Sequence, residues 1–103
     1  MIENGKMLFK QAKKDRHLSS WHKLSIVDRM LVLVAQHDES FTRKEYTSVR
    51  NRVSNKLVGK QAIQHDLKTM QNDGYIERIG YGEYQITNAG RQRAREIIAE
   101  NNL

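Results

Sequence analysis

The stretch Lys60-Gln61-Ala62-Ile63-Gln64-His65-Asp66-Leu67-Lys68-Thr69-Met70-Gln71-Asn72-Asp73-Gly74-Tyr75-Ile76 decides the fold. Ile63, Leu67 and Met70 fall at i, i+4 and i+7, the spacing that lines one face of an α-helix. Gly74 follows Asn72-Asp73, where a chain leaving a helix needs a residue that tolerates positive φ. The turn runs straight into Tyr75-Ile76, the start of a short strand. Lys60, Gln61, Gln64, His65 and Lys68 lie on the opposite face. Cations and side-chain amides are the groups that hold phosphates and read base edges.

Downstream, strands are expected at Tyr75–Ile79 and Glu83–Ile86, on either side of Gly80-Tyr81-Gly82. Two glycines within three residues supply positive φ at little cost, which predicts a tight hairpin. Alternation puts Tyr84 and Ile86 on one face of their strand. On the partner, Tyr75, Glu77 and Ile79 share one face, and Ile76 and Arg78 the other. Thr87 can cap a final helix that reaches about Asn101. Upstream, Ser25 with Asp28 and Thr42 with Glu45 read as helix starts, the second as a capping box. The first of these helices, about Ile26–His37, carries Ile26, Met30, Leu33 and Val34 on one side and is the most apolar segment. The second, about Arg43–Arg52, offers Tyr46, Val49 and Val53 as a thinner inner face. The order is helix, helix, helix, strand, strand, helix: mostly α with a small β-hairpin.

That order, with the wording LKTMQNDGYIERI…GEYQITNAGR, resembles the winged helix-turn-helix transcriptional regulators of bacteria and archaea, broadly the MarR, PadR and related groups. In those proteins a helix closing on -DGYI- is followed by a wing, and -LT-x-x-G-R- then opens the last helix. The resemblance covers about Ser25 to Arg95. It implies a winged helix with terminal helices, recognition-helix positions at Lys60, Gln61, Gln64 and Lys68, and a wing tip at Gly80–Gly82. The sequence departs from the pattern in a short tip with no basic residue between Gly80 and Gly82. It departs again in the connection Ser54–Gly59 (SNKLVG), an unusual turn that leaves the first residue of the recognition helix open.

Size and charge agree with a nucleic-acid partner. The 103 residues suffice for one small core, divided by this reading into a basic helical extension, 1–24, and a winged-helix domain, 25–103. Net charge is +6. Lys6, Lys10, Lys13, Lys14, Arg16 and Lys23 crowd the first 24 residues against Glu3 and Asp15. Arg43, Lys44, Arg50, Arg52, Lys56, Lys60 and Lys68 crowd the middle against Glu45 and Asp66. Such clustering is the footprint of a phosphate-binding surface, although charge alone does not separate specific binders from other small basic proteins. Cysteine is absent, which removes disulfides and thiolate metal sites and fits a cytoplasmic setting. No apolar run approaches the ~20 residues of a membrane span, and no signal peptide is expected.

The first 24 residues allow several roles. Met7, Leu8 and Ala12, with Phe9 adjoining, can form an amphipathic helix backed by Lys6, Lys10, Lys13 and Lys14. It could serve as a basic arm on DNA, as a dimerisation helix, or as a helix packed against the last one through Phe9 and Trp21. Packing is preferred, because three consecutive apolar residues need cover.

Enzyme chemistry finds little support. His17, His22, His37 and His65 have no partner among them at i+3 or i+4, and no nucleophile–base pair or phosphate-binding glycine loop can be placed. Asp66 sits within the helix proposed to face DNA, where its charge opposes phosphate, so it is expected to pair locally with lysine-type neighbours or to face the first turn of another helix. Trp21, Phe41, Tyr46, Tyr75 and Tyr84 are expected in the core. Tyr81 is expected to be exposed. The reading is a non-enzymatic, cytoplasmic, cofactor-free regulator that binds double-stranded DNA as a homodimer through its terminal helices. Lys60, Gln61 and Gln64 would meet base edges with His65 nearby. Lys68, Arg43, Lys44, Arg50, Arg52 and Lys56 would hold phosphates, with Tyr81 at the wing tip. The alternative is a winged helix used as a protein–protein adaptor or inhibitor of phage or plasmid origin.

Overall fold

The computed structural model describes residues 18–103 apart from Asp38. The expectations for the basic helix around Met7–Lys14 and for His17 lie outside the described residues. The elements are α1 (Leu18–Lys23), α2 (Ile26–Ala35), β1 (Phe41–Thr42), α3 (Arg43–Ser54), α4 (Lys60–Asn72), β2 (Ile76–Gly80), β3 (Glu83–Ile86) and α5 (Asn88–Glu100). This is the expected order with two additions, α1 and the two-residue strand β1.

Local chemistry sets the helix starts. The Ser25 hydroxyl accepts from the Asp28 N–H at 3.1 Å and opens α2. At α3 the capping box is complete: Glu45 N–H donates to the Thr42 hydroxyl at 3.0 Å, and Thr42 N–H donates to the Glu45 carboxylate at 2.8 Å. Met30 through Val34 are all buried, so α2 is enclosed on every side over its second half and acts as the spine. Ala94 and Ile97 of α5 are buried in the same core, with Ile98 and Leu103 partly covered beside them. Trp21 of α1 is buried in that core too.

The sheet is antiparallel with order β1-β3-β2. Phe41 stands opposite Tyr84 and Thr42 opposite Glu83, while Ile76 stands opposite Ile86. Phe41, Ile76, Tyr84 and Ile86 are buried. The Phe41 ring lies between those of Tyr84 and Tyr46, at 5.9 and 6.1 Å between centroids. Between Arg78 and Gly80 the register of β2 slips, leaving Ile79 in a bulge and 46% exposed. Tyr75, expected inside, is half-buried at the mouth of the hairpin.

One knot of bonds joins α4, the hairpin and α5. Gly74, at φ 79°, ends α4. Its N–H donates to Gln71 O and the Tyr75 N–H to Met70 O, the paired closure that a left-handed residue permits. The Thr87 N–H donates back to Tyr75 O at 2.9 Å, and the Thr87 hydroxyl donates to Gly74 O at 2.6 Å. That hydroxyl also accepts from the Gly90 N–H at 3.0 Å, capping α5. Gly90 must be glycine, because a Cβ there would lie 2.1 Å from Tyr75 O and 2.8 Å from the Ile86 side chain. Gly90→Ala should therefore cost about 1–3 kcal/mol of unfolding free energy in urea titration, as overpacking against backbone does. A loss below about 0.5 kcal/mol would mean that α5 does not sit this closely on the hairpin.

Candidate nucleic-acid interface

Helix α4 has two faces with different fates. Ile63, Asp66, Leu67 and Met70 are buried, whereas Lys60, Gln61, Gln64, His65 and Lys68 are all exposed. The exposed positions repeat at i, i+1, i+4, i+5 and i+8 and form one continuous polar stripe. Gly59 precedes the helix without a side-chain cap, so the first-turn N–H groups of α4 receive no bond from that residue. The turn before it is now defined. Asn55 adopts φ 55°, Lys56 N–H donates to Asn51 O, and the Asn51 side-chain oxygen accepts from Val58 N–H at 2.8 Å. Leu57 in that turn is 89% exposed.

Asp66 is the polar member of the inner stripe, at 3% exposure. One of its carboxylate oxygens accepts from Arg50 Nε at 2.7 Å and from the Tyr46 hydroxyl at 3.0 Å. Both partners belong to α3. Of the two roles expected for Asp66, pairing with lysine-type neighbours and facing the first turn of another helix, neither is met as stated. It faces another helix, but reaches beyond the first turn to Arg50, which gives Arg50 a different place. Its guanidinium, expected on phosphate, pairs with Asp66 and bonds the Ser54 hydroxyl within the same helix. An i+4 relation on α3 points Tyr46 and Arg50 to one side, so both reach the carboxylate. Burial, then the Asp66 charge, pushes the Tyr46 phenol far above its ordinary range. Burial, and secondarily the charge of Arg50, lowers Arg29 on α2.

The other cations expected on phosphate are open to solvent. Arg43 and Lys44 stand exposed at the start of α3, and Arg52 and Lys56 at its end. The Arg43 N–H donates to Gly82 O at 2.9 Å, which ties the start of α3 to the wing tip. Tyr81 at that tip is 98% exposed. No basic residue lies between Gly80 and Gly82, but Arg78 reaches the tip. Its Nε donates to Gly80 O at 3.0 Å and its guanidinium carbon lies 5.8 Å from the Tyr81 ring centroid. The signal was present in the spacing, since Arg78 stands two residues before Gly80 in a strand that ends there. Among the described residues, no group of three or more histidine, aspartate or glutamate side chains could hold a metal ion. His37 instead contacts Ser40 O at 3.1 Å, while His22 and His65 are exposed. No helix among the described residues is long and apolar enough to cross a membrane.

The Tyr46–Asp66 bond gives a pH test. The folded protein keeps the phenol neutral beyond the unfolded value of about 10, so its stabilisation is intact below that pH and lost as pH rises through and above it. Tyr46→Phe should cost about 1–3 kcal/mol at neutral pH. Above about pH 10 the gap between wild type and variant should narrow by up to about 1.4 kcal/mol per pH unit. Urea titrations across that range check it, and a gap that stays constant to high pH would contradict the buried, bonded phenol.

No curated protein and no solved structure matches the chain. One family model does, the ribonuclease R winged-helix domain, over residues 29–93. That span runs from α2 into α5 and takes in every part of the interface described above, from Arg43 through Lys68 to the wing. A mostly helical chain with a three-stranded antiparallel sheet, matched over more than half its length, belongs to the ribonuclease R winged-helix domain family.

Proposed function

We propose that the chain is a sequence-specific double-stranded DNA-binding module and a small transcriptional regulator, as its resemblance to the MarR and PadR groups suggests. One observation carries the reading: the polar stripe Lys60, Gln61, Gln64, His65 and Lys68 is exposed while the reverse face of α4 is buried. In this reading α4 enters the major groove, which is wide enough for a helix and shows a distinct donor–acceptor pattern for each base pair. Lys60, Gln61 and Gln64 meet base edges. Lys68, Arg43, Lys44, Arg52 and Lys56 take phosphates. Arg50 is left out, because its guanidinium is engaged with Asp66. The first-turn N–H groups of α4 add to the attraction for phosphate. The chain acts by binding and not by catalysis.

The family is named after a ribonuclease, which raises RNA as a partner. The major groove of A-form RNA is too deep and narrow for such a helix, so this stripe favours duplex DNA. A protein-adaptor role is favoured by a different observation, the exposed Leu57, Ile79 and Tyr81. The two separate on salt. DNA affinity should fall steeply with ionic strength, whereas an adaptor would bind duplex weakly at physiological salt.

Pairing of two chains through the terminal helices would set two α4 stripes about 34 Å apart, one turn of duplex. Ala94 and Ile97 are used within the chain, which leaves the partly covered Ile98 and Leu103 for that role among the described residues. Sedimentation equilibrium at tens of micromolar should give twice the 12.1 kDa chain mass. A chain that stays monomeric on DNA would remove the homodimer from the reading.

Gln64→Ala should weaken binding to a cognate duplex by about 1–3 kcal/mol and leave random duplex almost unchanged, the mark of a base contact. Lys56→Ala should lower both affinities and reduce the salt slope by about one. Equal losses for Gln64→Ala on both duplexes would refute the base-reading role of α4.

A further inference from the structure

We propose that the wing tip is a stacking site for an unpaired DNA base at the end of a duplex, with Tyr81 as the platform and Arg78 as the cation beside it. The inference borrows from the duplex-binding reading only the neighbouring double strand. Tyr81 stands between Gly80 and Gly82, and Gly82 at φ 64° turns the chain so that the ring projects clear of the hairpin. At 98% exposure the ring contributes nothing to the core, and the face away from the Arg78 guanidinium is open to a partner.

The tip is held in place. Gly82 O accepts the Arg43 N–H, and Gly80 O accepts Arg78 Nε. The Arg78 guanidinium is thereby fixed 5.8 Å from the ring centroid, close enough for a stacked base and its phosphate to meet ring and cation together. Arg43 and Lys44, exposed where α3 abuts the tip, extend the positive surface along which a strand could run. The nearest carboxylate of the hairpin, Glu83, accepts the Ser40 hydroxyl at 3.2 Å.

The base should be unpaired for a physical reason. Inside an intact duplex both faces of every base are covered by neighbours, and a ring can enter only by unstacking them. An overhanging base presents its face at no such cost. Because every base has a π-face, the stack should be tolerant of sequence, unlike the contacts of α4.

The test compares a blunt duplex with the same duplex carrying a short single-stranded tail, by fluorescence anisotropy, with 2-aminopurine as the first unpaired base. The wild type should bind the tailed duplex roughly tenfold more tightly, the size of one base–aromatic stack, and quench the 2-aminopurine. Tyr81→Phe should keep both effects. Tyr81→Ala should abolish both the preference for the tailed duplex and the quenching, with its melting temperature unchanged. Equal wild-type affinity for the two duplexes, or a preference that survives Tyr81→Ala, overturns the proposal and leaves the duplex reading standing. If the wild type does not bind blunt duplex, the isolated single strand decides: Tyr81-dependent binding keeps the stacking site and removes the duplex reading, and Tyr81-independent binding or none overturns the site.

Discussion

A carboxylate buried in the inner stripe of a helix has to be paired, and Asp66 is paired twice, with Arg50 and Tyr46 of the preceding helix. Taking a charge out of water costs several kcal/mol, and its attraction to a partner does little more than offset that cost. The ion pair therefore contributes orientation more than net stability. Removing one partner is far more expensive than removing both. Each residue turns a helix by about 100°, so a one-residue rotation of α4 would pull Asp66 from Arg50 and swing Gln64 or Lys68 toward the core. The pairing and the burial of Leu67 together determine which side chains of α4 face outward.

The second constraint lies at the other end of α4. Gly74, Thr87 and Gly90 lock the helix end, the hairpin mouth and the first turn of α5 into one network of backbone and hydroxyl bonds. The far end of the hairpin is tied to α3 through Arg43 and Gly82. Helix α4, the start of α3 and the wing tip are thus joined by short bonds and not by side-chain packing alone. A surface that reads nucleic acid benefits from such rigidity, because less conformational freedom is lost on binding.

Much of this was legible in the sequence because its signals are local. The i, i+4, i+7 spacing of Ile63, Leu67 and Met70 gave α4 its face, and Gly74 its end. Thr42 with Glu45 announced a capping box that the structure completes, and Gly80-Tyr81-Gly82 announced the hairpin and its exposed ring. Non-local features were harder to read. Two residues cannot display periodicity, so β1 became visible only once Phe41 lay against Tyr84. Arg50 read as one more cation of a basic stretch, since nothing in its neighbourhood shows that Asp66, sixteen positions on, meets it. The bulge at Ile79, which accompanies the approach of Arg78 to the tip, depends on strand register and is silent in the sequence.

The outward stripe of α4 is proposed to read base sequence in duplex DNA. The most direct measurement is selection of bound sequences by the full chain from a library of random duplexes at physiological salt. The expected result is convergence on a short shared motif, with the wild-type preference confined to the few base pairs that Lys60, Gln61 and Gln64 can span. Bound duplexes as random as the starting library would contradict it.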